Sequence, residues 1–137
     1  MERFLPDERL EPLRELTALL SYNGVKYREE ESGVRFAFEE AGCRWEVACR
    51  FAPNAVMIYG VYPFLMRDEG EARRAMDRVN ATLIRGSLFL MEGRPVLRTS
   101  ADLIDAYSAY EAILRALEYN AGAMLRFWND MAGLKAQ

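Results

Sequence analysis

Residues 78–100 constrain the fold more than any other part of this 137-residue chain. The segment begins as the end of an amphipathic helix and reaches a glycine, Gly86. Apolar and polar residues then alternate on both sides of the dipeptide Glu92-Gly93. A short glycine-containing turn between two alternating runs is typical of a β-hairpin. The sequence therefore predicts a helix, a glycine stop and a hairpin with strands near Ser87–Met91 and Pro95–Thr99.

Upstream of this segment the sequence predicts one helix followed by four strands. Apolar residues at helical spacing between Leu10 and Leu20 predict the helix, and Asn23-Gly24 is a typical C-terminal stop. From Val25 the apolar residues recur at every second position, and three short turns interrupt them: Ser32-Gly33, Ala41-Gly42 and Pro53-Asn54. Because such short connections join antiparallel neighbours, we expect these strands to form a meander.

Two more helices complete the predicted fold. Asp68 and Glu71 fit a capping pair for a helix from about Glu69 to Arg85. Ser108 and Glu111 fit a second capping pair, and an uninterrupted apolar stripe that includes Tyr110 then extends to Met131. We therefore predict one α+β domain over residues 1–137, in the order helix, four strands, helix, two strands, helix. Its antiparallel sheet has five to six strands, and the helices pack mainly on one face.

The residue types present argue against an enzyme. The chain has no histidine, which removes the Ser-His-Asp and Cys-His arrangements, most zinc sites and the usual proton shuttle near neutral pH. A pair of carboxylates remains an open catalytic alternative, but the acidic runs 29–31 and 39–40 flank predicted turns. Cys43 and Cys49 lie about 20 Å apart along one predicted strand and cannot bridge each other. We expect no catalytic residue, cofactor or metal.

Charge and hydropathy also limit the partners. The net charge of −3 argues against nucleic-acid binding, because such proteins cluster cations against phosphates. No run of apolar residues approaches the roughly 18 needed for a membrane span, and the N-terminus lacks the features of a signal peptide. We therefore expect a cytoplasmic protein with neither a nucleic acid nor a membrane as its partner.

One predicted surface stands out as a binding site. Residues 55–62 are apolar on both faces of a predicted strand. With helices on one face of the sheet, the other face would expose either Met57, Tyr59 and Val61 or Val56 and Ile58. The alternative is that the second helix, or the loop before it, covers this strand. The predicted partner-binding residues, strand and loop together, are Met57, Tyr59, Val61, Phe64 and Met66.

The order of elements resembles the YbjN family, whose fold is similar to that of type III secretion chaperones. The resemblance covers nearly the whole chain and depends on Val79-Asn80-Ala81, Gly86, Leu88-Phe89-Leu90, Glu92-Gly93 and Val96-Leu97-Arg98. It implies a non-enzymatic bacterial protein that is often dimeric. Secretion chaperones of this fold are small acidic dimers that hold an extended partner segment on apolar grooves.

Two functional hypotheses follow. The first is a protein-binding or chaperone-like module that forms a homodimer, with a regulatory role as one option. The second is a small-ligand sensor, or an enzyme, with a pocket between sheet and helices lined by Trp45, Tyr59 and Trp128.

Overall fold

The structure, a computed structural model, describes residues 12–137, with the side chains of Pro12 and Ala106 excepted. Leu10, the first residue of the predicted N-terminal stripe, lies outside this range. The helices are α1 Pro12–Tyr22, α2 Glu69–Asn80, α3 Ala106–Arg126 and α4 Trp128–Ala132. The strands are β1 Tyr27–Glu30, β2 Gly33–Glu40, β3 Cys43–Ala52, β4 Ala55–Val61, β5 Ser87–Met91 and β6 Arg94–Asp102.

The six strands form one antiparallel sheet in the order β1-β2-β3-β4-β6-β5. The four meander strands are sequential neighbours, and the hairpin adds to β4 through β6. Helix α1 packs against β2, α2 against β5, and α3 against both β4 and β6. The helices thus cover one face of the sheet, which we call the inner face. This arrangement confirms the predicted α+β fold class.

Local backbone geometry explains two of the four two-residue hairpin turns. Ala41 and Gly42 both have positive φ, 54° and 79°, and Glu92 and Gly93 have φ of 52° and 81°. Two consecutive positive φ angles give a turn whose twist matches that of paired strands. The predicted turns at both places are confirmed.

Long side chains from helices and strands share the core between the sheet and the helices. Leu16 of α1, Ile58 of β4 and Leu97 of β6 are completely buried. Tyr62 is equally buried, and its hydroxyl donates a 2.8 Å hydrogen bond to the carbonyl oxygen of Met124 in α3. Burying one such large apolar side chain contributes about 1.5–3 kcal/mol. These contacts fix α3 across the centre of the sheet.

Helix α2 ends at Asn80, five residues before the predicted end at Arg85. Asp68 is its N-cap as predicted, since its carboxylate accepts a hydrogen bond from the Glu71 amide. Two contacts accompany the early end: the Asn80 side chain binds the backbone of Leu88 in β5, and the Thr82 hydroxyl donates to the Val79 carbonyl oxygen. Gly86 consequently lies in the connection to β5, and not at the helix end.

The C-terminal helix differs from the prediction in three ways. It begins at Ala106, because the Asp105 carboxylate, and not the Ser108 side chain, caps its N-terminus. It is divided at Phe127, whose φ of −103° and ψ of 11° depart from helical values. Phe127 and Met131 are both buried. Tyr110, predicted in the apolar stripe, is 38% exposed, whereas its neighbour Ala109 is completely buried.

Candidate functional site

Strand β4 presents two different faces. Val56, Ile58 and Gly60 point toward the helices and are buried. Met57, Tyr59 and Val61 therefore lie on the opposite face, which we call the outer face, and each is half-buried. Of the two alternatives from the sequence, the structure selects the one that places Met57, Tyr59 and Val61 away from the helices.

Phe64 and Met66 do not join these three residues, which corrects the prediction of one contiguous patch. Met66 is only 9% exposed, and its amide donates a 2.9 Å hydrogen bond to the carbonyl oxygen of Gly93. The Phe64 ring packs edge-on against Trp128, with 5.0 Å between ring centroids. Both side chains contribute to the helix-side core cluster. The loop before α2 thus turns toward the helices and, like α2, does not cover the outer face of β4.

Residues of β5 and β6 extend the apolar surface instead. Val96 lies directly opposite Val61 in the register of the sheet, and Phe89 lies opposite Val96 on the other side. We define the outer-face strip as six residues: Met57, Tyr59, Val61, Phe89, Met91 and Val96. The sequence pattern alone did not identify Phe89, Met91 and Val96 as part of this surface. The alternation in β5 and β6 was visible, but which of their faces is the outer one depends on the pairing of β6 with β4.

A depression of about 490 Å³ lies at one end of this strip. Val61, Met91 and Val96 form its apolar wall together with Pro63. Val96 is completely buried although it does not belong to the helix-side core cluster. Four charged side chains, Arg35, Glu46, Glu92 and Arg94, complete the lining. The depression is large enough for an apolar side chain, with charged groups within reach of a partner backbone or side chain.

Ion pairs cover the other half of the outer face. Glu30 accepts from Arg28 at 3.4 Å and from Arg35 at 3.1 Å, and Arg35 also contacts Glu46 at 3.3 Å. Hydrogen bonding from Arg35 lowers the pKa of the Glu30 carboxyl below its ordinary value. Exposed pairs of this kind contribute little to stability. They pair most of the charges on β1, β2 and β3 with one another, and this charged half differs from the apolar half.

The outer face carries more cations than anions. On the strands of residues 12–137, the outer face carries six arginines and four acidic residues. The arginines are 28, 35, 44, 50, 94 and 98, and the acidic residues are Glu30, Glu39, Glu46 and Asp102. The resulting formal charge of +2 contrasts with −3 for the whole chain. Arg50 and Arg98 lie opposite Met57 and Tyr59, and neither forms an ion pair with another described residue. The strip is therefore apolar at its centre, with two arginines that form no ion pair beside Met57 and Tyr59 and an acid, Glu46, beside Val61.

A second cavity, of about 510 Å³, lies on the inner face between the sheet, α1 and α3. Trp45 lines it as predicted from the sequence, but the other two predicted residues do not. Tyr59 belongs to the outer face, and Trp128 packs among the rings of Trp45, Tyr62 and Phe64 at centroid distances of 5.0–5.7 Å. Leu114, Leu117 and Gly122 of α3 line the cavity in their place.

Reactive groups are few in the described part of the chain. Cys43 and Cys49 are free, and burial raises the pKa of the Cys49 thiol to about 12. Within residues 12–137, no group of three or more Cys, Asp or Glu side chains is arranged to hold a metal ion. Over the same residues, the helices are too short or too polar to span a bilayer.

Comparisons with protein-family models, curated proteins and solved structures found no match for this chain. The resemblance to the YbjN family therefore stays a prediction.

Proposed function

We propose that this protein is a non-enzymatic, chaperone-like module that binds a segment of a partner protein on the outer-face strip. The observation that carries the proposal is the half-buried apolar centre of β4 on a sheet face that no helix of residues 12–137 covers. Contiguous apolar surfaces of this type usually mark association sites. The resemblance to secretion chaperones, which hold extended partner segments, supports the same assignment.

Charge identifies the kind of segment. Arg50 and Arg98 border Met57 and Tyr59, and Arg94 lies opposite Met91 at the far end of the strip. Acidic side chains on a partner would pair with these guanidinium groups, while apolar side chains contact Tyr59 and fill the depression at Val61 and Val96. The proposed occupant is therefore a segment in which apolar and acidic residues alternate.

A second copy of this chain is the alternative occupant. A homodimer is expected from the family resemblance, and its interface could use the same strip. The two occupants differ in a measurable way, because dimerisation through the strip would double the mass in solution and compete with peptide binding.

Fluorescence anisotropy with three labelled peptides of about twelve residues tests the proposal. One alternates Leu and Glu, the second alternates Leu and Lys, and the third alternates Ser and Glu. We expect the Leu/Glu peptide to bind most tightly. Tyr59→Ser should weaken its binding about tenfold, the effect of removing one central contact of about 1.4 kcal/mol. Arg98→Glu should shift the preference toward the Leu/Lys peptide.

Tyr22→Ser is the matched control, because Tyr22 is 85% exposed at the end of α1, away from the strip. It should leave peptide binding unchanged. Equal binding of all three peptides, or equal effects of Tyr59→Ser and Tyr22→Ser, would contradict the proposal. A dimeric mass that Tyr59→Ser converts to a monomeric one, without any peptide binding, would assign the strip to a second copy instead.

A further inference from the structure

Part of strand β6 has a paired neighbour on one side only. Strand β4 pairs with residues 96–102, whereas β5 pairs only with residues 94–98. Gly86, the residue before β5, still lies against β6, since a Cβ built on it would be 2.9 Å from the Thr99 side chain. Residues 100–102 therefore form a sheet edge that no described strand covers. Such an edge is a template for the addition of a strand from another chain.

The backbone groups of Ser100 and Asp102 point out of this edge. Along an antiparallel strand the N–H and C=O of one residue face the same neighbour, and successive residues alternate between the two neighbours. On β6 the Pro95 carbonyl oxygen accepts from the Tyr62 amide at the end of β4, so the odd-numbered residues face β4. The even-numbered residues face the other way, and beyond Arg98 they have no backbone partner among the described residues. Ser100 and Asp102 thus present two amide donors and two carbonyl acceptors to the open edge.

A depression of about 680 Å³ lies directly beside this edge. Its walls include residues 99–102, the connection at Arg85, and the side of α3 that carries Ala112 and Ala116. Both alanines are half-buried, and their side chains are too short to fill the space beside β6. The Tyr119 hydroxyl donates to the Arg85 carbonyl oxygen at 2.9 Å and thereby joins the connection to α3. The depression has room for an extended segment between β6 and α3.

Two charged side chains without an ion pair line opposite ends of the depression. Arg85 lies at the end marked by Thr99, because the next residue, Gly86, is in contact with β6 there. Asp102 lies three residues from Thr99, about 10 Å along the strand. Neither Arg85 nor Asp102 forms an ion pair with another described residue, whereas Arg115, the third charged side chain of the lining, is paired within α3. The two ends therefore attract opposite charges.

We propose that this edge binds the C-terminal tail of a partner protein as an added strand, antiparallel to β6. The charges select this direction, because the tail then ends beside Arg85, whose guanidinium pairs with the free carboxylate. The last residue of the tail lies opposite Ser100. The third-last lies opposite Asp102, where a lysine completes the second ion pair. The second-last residue lies opposite Ala101 on the inner face, so a small apolar side chain there packs against the alanines of α3.

The probe is the peptide Gly-Ser-Gly-Ser-Lys-Val-Ser, labelled at its N-terminus and free at its C-terminus. Fluorescence anisotropy with the full chain should show saturable binding. Amidation of the C-terminus, or glutamate in place of the lysine, should weaken binding about tenfold. Methylation of the third-last amide nitrogen removes the donor to the Asp102 carbonyl oxygen and should also weaken binding about tenfold. Methylation of the second-last amide nitrogen is the matched control, because that N–H points away from β6.

Variants of the protein test the same contacts. Ser100→Pro removes an amide that faces the open edge and that β4 does not use, so it should weaken peptide binding about tenfold and leave the sheet intact. Arg85→Glu should weaken binding without any change to the strand. Arg78→Glu is its matched control, since Arg78 is an exposed arginine of α2 outside the depression. Tyr59→Ser should change nothing, because Tyr59 lies on β4, on the far side of β6 from the added strand.

Unaffected binding by Tyr59→Ser distinguishes this edge from the outer-face strip, so each proposal can fail without the other. Absence of saturable binding, equal binding of the amidated peptide, or equal effects of the two methylations overturns the proposal of tail binding. A dimeric mass that Ser100→Pro converts to a monomeric one, without any peptide binding, overturns it as well and assigns the edge to a second copy of the chain.

Discussion

The side chain of Asn80 binds both backbone groups of Leu88. Its Nδ2 donates to the Leu88 carbonyl oxygen at 3.0 Å, and its Oδ1 accepts from the Leu88 amide at 2.7 Å. Strand β5 is an edge strand, so these two groups would otherwise be free to pair with another strand. The last residue of α2 thus takes the position that a seventh strand would occupy at Leu88.

Replacing Asn80 should therefore destabilise the protein and open this edge. We expect Asn80→Ala to lower the free energy of unfolding by about 1–2 kcal/mol, because two partly buried backbone groups lose their partners. Urea denaturation measures the loss, and hydrogen exchange should show a faster-exchanging Leu88 amide. Asn129→Ala is the control, since Asn129 is an exposed helical asparagine. Equal effects of the two changes would show that the Asn80 pairing contributes nothing.

Alanine substitutions at Gly86 and Gly42 test whether a close backbone contact adds to the free-energy cost of a side chain at positive φ. Their φ angles are similar, 85° and 79°. A Cβ on Gly86 would lie 2.5 Å from the Arg98 carbonyl oxygen, whereas a Cβ on Gly42 meets no atom within 4 Å. Gly42→Ala should cost about 1 kcal/mol and Gly86→Ala about 3 kcal/mol in thermal unfolding. A smaller loss for Gly86→Ala than for Gly42→Ala would contradict the observed contact with β6.

The two cysteines should differ strongly in reactivity. Cys49 is 1% exposed and burial raises its pKa to about 12 from 9.0, whereas Cys43 is half-buried. The thiolate fraction of Cys49 near pH 8 falls about a thousandfold with that shift, and reagents cannot reach it without local opening. Alkylation followed by mass spectrometry should label Cys43 first. Cys43→Ser should then leave a chain that resists labelling until denaturant is added, and rapid labelling of that variant would disprove the burial.

The Asp105 cap should make part of the stability depend on pH. Hydrogen bonding from the Ser108 amide lowers the pKa of the Asp105 carboxyl below its ordinary 3.8. Because the folded-state value is the lower one, the charged cap stabilises the protein fully above about pH 4. That contribution is lost as the pH falls through the folded-state value. Asp105→Asn keeps the cap geometry without the charge, so its deficit relative to wild type should be larger at pH 7 than at pH 2.5. A deficit of equal size at both pH values would exclude the charge effect.

The predicted homodimer can be tested directly. Light scattering should give twice the 15.7 kDa mass of one chain. A monomer at concentrations of about 100 μM would contradict the predicted homodimer. The proposal of peptide binding would still be tested by the anisotropy experiment.

The order of elements could be predicted from the sequence because it depends on local information. Period-two alternation through Trp45 and Val47 identifies β3, and Glu92-Gly93 marks a hairpin whatever surrounds it. Helix ends were less predictable. The end of α2 at Asn80 coincides with a contact to another element, because the partner of the Asn80 side chain lies eight residues further on, in β5.

The chain's own pattern determined that β4 is apolar on both faces and that its neighbours are antiparallel. Only the tertiary structure decided which face stays open, because a strand with no polar side fits a helix layer in either orientation. It also decided that Phe64 and Met66 lie on the helix side. There the Phe64 ring packs against Trp128, and Met66 pairs with Lys135 of the C-terminal segment. The burial of Trp45 and the position of two arginines beside Met57 and Tyr59 were also decided by the tertiary structure. Both depend on residues that are distant in sequence.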